Sequence, residues 1–117
     1  LALKALLAEK IELPTIVFDE IDTGISGKTS RKIGIRLRQM GHRTQVICIT
    51  HSAQIASLAD CHGVIGKHEV NGRTETHVAF PDEEGRVQEI ARILGGLEIT
   101  EAQRGAAREM LDERRAY

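Results

Sequence analysis

No run of about 18 or more apolar residues occurs in the sequence, and no charged stretch leads into an apolar one in the manner of a leader. Both absences argue against a membrane span and a secretory signal, and the cytoplasm is the compartment they predict. Cysteine is scarce. Cys48 lies inside the apolar run Val46-Ile47-Cys48-Ile49 and Cys61 in a polar turn, a poor pattern for a disulfide framework, so both are expected as free thiols. Basic charge is not in excess either. Sixteen Lys and Arg stand against 17 Asp and Glu for a net charge of −1, so no global field advertises nucleic acid, and any such contact must be local or made elsewhere in a longer protein. Also absent is any Gly-x-x-x-x-Gly-Lys-[Ser/Thr] segment, and with it the backbone cradle and lysine that hold nucleotide phosphates. An initiating Met is lacking too: the stretch Leu1-Ala2-Leu3-Lys4-Ala5-Leu6-Leu7-Ala8-Glu9 has the pattern of a helix interior with no cap ahead of it, which predicts a segment of a longer protein.

What is present fits a globular domain. Of 117 residues 41% are hydrophobic and 28% charged, with no internal repeat, low-complexity tract or linker, so residues 1–117 are expected to form one domain. After Leu13-Pro14, Thr15-Ile16-Val17-Phe18 is a short β-branched apolar run, expected as a strand with both faces covered. From Thr29 the apolar residues Ile33, Leu37 and Met40 recur at helical spacing opposite Arg31, Lys32 and Arg38, and the helix should stop near Gly41. A second buried strand follows at Gln45 to Ile49, then the turn Thr50-His51-Ser52, with Ser52 expected to cap a helix containing Ile55 and Leu58. Strand, helix, strand implies a parallel pair with a right-handed crossover. Residues 63 to 80 flank Asn71-Gly72, a dipeptide that accepts the positive φ values of a type I′ turn, and predict an antiparallel hairpin. Pro81 to Gly85 is expected as an acidic turn. Beyond it Val87, Ile90, Ala91 and Leu94 form a helical stripe ended by Gly95-Gly96, and Thr100-Glu101-Ala102-Gln103 is a capping box for a last helix reaching about Arg114.

Chemistry concentrates in Thr15-Ile16-Val17-Phe18-Asp19-Glu20-Ile21-Asp22-Thr23-Gly24-Ile25-Ser26-Gly27. A buried strand ending in two carboxylates presents them at the carboxyl end of a parallel sheet, where such sheets bind ligands. Adjacent acids on an extended chain point different ways, so one can support a hydrated Mg²⁺ while the other faces an attacking water, as phosphoryl transfer requires. Taken alone the pair is equally a polar loop start or a helix cap. His51 should arrive at the same sheet edge as Glu20, where it can donate to a phosphate or orient the water. The loop holding Gly24 and Gly27 with Asp22, Thr23 and Ser26 is flexible and polar enough to touch a partner surface. His42, His62, His68 and His77 carry no such context and are assigned to surface or core.

These segments, in this order, resemble the ATP-binding-cassette ATPases, in which a Walker B strand, a D-loop and a switch histidine follow one another. Within that superfamily Phe18-Asp19-Glu20-Ile21-Asp22-Thr23-Gly24-Ile25-Ser26-Gly27, then Gln45-Val46-Ile47-Cys48-Ile49-Thr50-His51, look closely like the RecN family, SMC-like proteins of bacterial double-strand-break repair. Leu1-Ala2-Leu3-Lys4 looks like the stretch after that family's signature motif. Ile90-Ala91-Arg92-Ile93-Leu94-Gly95-Gly96, with Thr100 and Ala107-Arg108-Glu109-Met110-Leu111, is similar to its C-terminus. The resemblance covers essentially all 117 residues. It implies an α/β fold: the C-terminal lobe of an ABC/SMC-type P-loop NTPase head, with short parallel strands, helices and an antiparallel hairpin.

Carried over position by position, the resemblance makes Asp19 the Mg²⁺-supporting carboxylate, Glu20 the catalytic base and His51 the switch histidine. Asp22, Thr23, Gly24 and Ser26 fall in the D-loop, which meets an opposing head across the nucleotide. At Ser26 many cassette ATPases have Asp, so that loop's contacts cannot be copied from transporters. Mg²⁺ and ATP are implied as ligands of the complete protein, in recombinational repair at the nucleoid. Its implied partners are the missing N-terminal lobe of the head, a second head in a homodimer, and DNA reached through the complete protein. No membrane partner is implied. The chain alone should be inactive, and the absent Walker A strand should leave a gap between the strand ending at Thr50 and that near Val64.

Three other readings compete. Asp-nucleophile phosphatases resemble an apolar strand followed by D-x-D-x-[TV], but here the second Asp stands at +3. Transporter ATPase subunits resemble Pro-Thr-Ser where this chain has Ile21-Asp22-Thr23-Gly24. A non-catalytic binding module, with the acids only solvated, would hold no nucleotide even when joined to its missing half.

Overall fold

The computed structural model describes residues 14–117, and the expected opening helix lies outside them. Strand β1 (Thr15–Asp19) pairs in parallel with β2 (Gln45–Ile49), Thr15 opposite Gln45 and Asp19 opposite Ile49. Between them runs α1 (Gly27–Met40), and after β2 a single turn of helix, α2 (Ala53–Ala56). Strands β3 (Val64–Val70) and β4 (Arg73–Ala79) form a separate antiparallel sheet, followed by α3 (Glu83–Gly95), α4 (Glu101–Glu113) and a 3₁₀ turn, Arg114–Ala116.

Two apolar clusters organise the described residues. In one, Ile16 and Phe18 of β1 meet Leu37 and Met40 of α1 and Ile55 of α2, with Ile33, Val46 and Cys48 at its margin. In the other, Ala53 and Ala56 meet Val87, Ile90 and Ala91 of α3 and Ala107 and Leu111 of α4. The short α2 therefore belongs to both, because its successive residues face opposite sides. The segment after it is held by side chains as well. Arg38 donates to the Leu58 carbonyl at 3.0 Å and to Asp60 at 2.6 Å, and the buried Arg86 donates to the carbonyls of Ala59 at 2.9 Å and Ala56 at 3.4 Å. These guanidiniums supply partners to carbonyls at and just beyond the end of so short a helix.

The structure follows the expected alternation and hairpin, with Asn71 and Gly72 at φ 51° and 74° in the turn, and the Thr100/Gln103 capping box is formed. It differs in five details. Among the described residues the β1/β2 sheet is covered on one face only: Val17, Ile47 and Ile49 on the other are 50%, 46% and 40% exposed. Helix α1 begins at Gly27 rather than Thr29, because the Ser26 hydroxyl accepts from the Thr29 N–H. Ser52 precedes α2 without a side-chain cap, and α2 ends before Leu58, which is buried from the following turn. The acidic residues after Pro81 are the first turn of α3, since Asp82 caps it through the Gly85 N–H at 2.8 Å and Glu83 and Glu84 sit at the positive end of its dipole. Leu94, expected on the buried stripe of that helix, is exposed.

Candidate functional site

Parallel pairing ends both strands at one edge, and the site is built there. Beyond Asp19 the ladder continues for one bond, the Glu20 N–H donating to the Ile49 carbonyl at 2.9 Å. Glu20 then turns the chain with φ 49°, a left-handed conformation that a residue with a side chain adopts only when its surroundings impose it. The imposing contacts are local: the Thr23 hydroxyl and N–H both donate to the Glu20 carbonyl, at 3.0 and 3.4 Å. Glu20 and His51 are brought together, Oε1 to Nε2 at 3.1 Å, with both side chains open to solvent, 53% and 88% exposed. A neutral imidazole makes this contact by donating from Nε2, and a charged one by an ion pair.

Asp19 ends β1 exposed. Its carboxylate and that of Asp22 both act on Cys48, whose thiol is pushed up to about 11, first by burial and then by the charges of Asp22 and Asp19. That thiol stays protonated near neutrality and is not a nucleophile. Asp22 is partly buried and accepts from the Thr50 hydroxyl at 2.7 Å, while the Thr50 oxygen accepts from the Ser52 N–H at 2.9 Å. The Ile25 N–H donates to the Asp22 carbonyl at 3.2 Å, and Gly24 takes φ 75° with open space around its Cα. Ser26 is the N-cap of α1, its hydroxyl facing Thr29. The expected residues thus divide into an exposed pair, Glu20 and His51, a tied-in Asp22, and a loop tip at Thr23 and Gly24. Thr50 has no role in the sequence reading. A hydroxyl at the exit of β2 facing an acid at the exit of β1 is the signal that would have found it.

Among the described residues no group of three or more His, Cys, Asp and Glu side chains converges as a metal cage would require. The exposed Asp19 carboxylate instead suits a cation that keeps its waters and takes its other ligands from a bound phosphate, which is how Mg²⁺ is usually held.

The fold is similar to part of a solved chain described for ATP-driven dimerization and DNA-stimulated activation of SMC ATPases, with a TM-score of 0.52 at 21% identity over 66% of this chain and 46% of that one. No family model matches the chain. Curated relatives do: the DNA repair protein RecN of Vibrio cholerae is 41% identical over 111 residues, that of Haemophilus influenzae 44% over 116, and that of Bacillus subtilis 36% over 113. These alignments take in 95%, 96% and 97% of the chain and 20% of each relative. The chain belongs to the RecN family, as a segment spanning about a fifth of the length of the curated relatives it matches.

Proposed function

We propose that the chain supplies the hydrolytic edge of an ATPase head in a RecN-type DNA repair protein. The observation that carries this reading is the Glu20–His51 contact at the shared exit of two parallel strands, in a chain with RecN sequence and an SMC ATPase fold. Glu20 is the general base: its exposed carboxylate orients an attacking water and accepts its proton. His51 sits where it can hold Glu20 before nucleotide enters and face the γ-phosphate end afterwards. Asp19 would support a Mg²⁺ ion, which when bound supplies charge neutralisation for the phosphates. The loop from Asp22 to Ser26, open at Thr23 and Gly24, is placed to meet a second head, and the phosphate cradle comes from the rest of the protein. ATP closes two heads, hydrolysis reopens them, and DNA is engaged by the complete protein in the repair of double-strand breaks.

The test is made in the complete RecN-type protein. Glu20→Gln should lower steady-state turnover by roughly 10²-fold or more while sparing ATP binding, because the amide keeps the shape but accepts no proton. Asp19→Asn should weaken Mg²⁺-dependent binding, and His51→Ala should lower turnover more than affinity. Turnover of Glu20→Gln within a factor of about two of the parent would remove Glu20 as the base. The 117-residue chain alone should bind no ATP at micromolar concentration by calorimetry.

A further inference from the structure

We infer that Thr50 is a positioning residue that couples the loop at Asp22 to the Glu20–His51 pair; the inference rests on the reading of that pair as the hydrolytic site. Its single proton goes to Asp22 Oδ2 at 2.7 Å, and its oxygen takes the Ser52 N–H at 2.9 Å. One hydroxyl therefore fixes the residues on both sides of His51, since Thr50 precedes it and Ser52 follows it. From Asp22 the linkage continues to the loop tip through the Ile25 N–H at 3.2 Å, and from His51 it returns to Glu20 at 3.1 Å. Glu20 in turn is bonded to the residue before Thr50 through the Ile49 carbonyl.

Burial separates the fixed part of this circuit from the movable part. Thr50 and Asp22 are partly buried, whereas Glu20 and His51 are exposed, and so are Thr23, Gly24 and Ile25. A bond from a hydroxyl to a carboxylate, partly shielded from water, is stiffer than the exposed Glu20–His51 contact. A surface docking on residues 23–25 that displaces Asp22 must therefore move Thr50, and with it the turn that aims His51. Occupancy of the loop by a partner head becomes a setting of the histidine, and the Glu20 carboxylate is held or released accordingly.

The experiment compares Thr50→Val, Thr50→Ser, Asp22→Ala and the double variant Thr50→Val/Asp22→Ala in the complete protein, with Glu20→Gln as reference. Thr50→Val keeps the shape and loses both the donor to Asp22 and the oxygen that takes the Ser52 N–H, so kcat should fall about tenfold, with ATP affinity unchanged within about twofold. Thr50→Ser should restore kcat to within about twofold of the parent. The double variant should be no slower than the slower single variant, as expected of two ends of one link. Equal kcat for the Val and Ser variants, or losses that multiply in the double variant, overturns the inference. If Thr50→Val does not fold, Asp22→Ala reads the link from its other end, and full activity there overturns it as well. An active Glu20→Gln protein would instead sink the reading of the site itself, whatever Thr50 does.

Discussion

Gly34 is the point at which α1 meets α2. A Cβ there would lie 2.8 Å from Cδ1 of the buried Leu58, 3.2 Å from the Gln54 carbonyl oxygen and 3.3 Å from the Ile55 Cα. Two of these neighbours are backbone and cannot rotate away. Replacing Gly34 with Ala gains about 1 kcal/mol in helix propensity but forces the helices apart at a cost of about 1 to 3 kcal/mol, so a net loss of about 1 kcal/mol is expected. Gly105 in α4 is the control: a Cβ there meets nothing within 4 Å, so Gly105→Ala should gain about 0.5 to 1 kcal/mol. Urea midpoints of the two variants should move in opposite directions, and a shift of the same sign in both would refute the packing argument. At this scale the sequence was informative where spacing alone decides placement. Asp19, Glu20 and His51 end two runs of parallel-strand character and reach one edge. The Asp22–Thr50 bond was signalled only by an acid and a hydroxyl at the exits of paired strands, and the left-handed turn at Glu20 that lies between Asp19 and Asp22 is one that no propensity of glutamate predicts.

Elements with local signals were legible to within a residue or two. The capping box at Thr100 and Gln103 and the turn at Asn71-Gly72 are contained in a few neighbours each, and both are formed. Ser52 carries the same cap signal without the bond, and the α2 that it precedes lasts a single turn. The turn after α2 is held by Arg38 and Arg86 beside its own backbone bonds, and the buried Arg86 has a consequence for His62. Its ring is half-buried, with Nδ1 unpartnered, and burial first and the charge of Arg86 second hold its pKa below the ordinary 6.5. As pH falls below 6.5 the unfolded chain takes up a proton that the folded chain resists, so the stability present above that value is lost on acidification. Glu83 and Glu89, lowered first by hydrogen bonds from Arg114 and Arg92, lose their contributions only below the ordinary 4.5, and the two windows are separable. His62→Gln should flatten the urea midpoint between neutral pH and about one unit below 6.5. A slope equal to that of the parent would assign the acid sensitivity elsewhere.

The described residues form two separate two-stranded sheets, and no strand among them pairs the outer edge of β2. The continuous apolar runs of β1 and β2 forecast strands with both faces covered, whereas one face is open among the described residues, since its cover depends on what else the protein places against it. The open face carries Val17, Ile47 and Ile49, and the hairpin presents Ile65, Val78 and Phe80 at 58%, 56% and 70% exposure. Apolar side chains in this arrangement, beside backbone groups without a ladder partner, are adhesive in water. The 117-residue chain by itself should therefore associate, by pairing β2 edge to edge or by packing its open face against another copy. Light scattering at roughly tens of micromolar should show a dimer or larger species. Ile47→Lys, which places a charge in the middle of that face and leaves the covered face of Ile16 and Phe18 untouched, should shift the population to monomer. The hairpin should persist in either state, because the turn chemistry at Asn71-Gly72 fixes its register locally. A monomer before the substitution would mean that the open face and edge are quiet in water, and would remove the argument that the rest of the protein is needed to cover them.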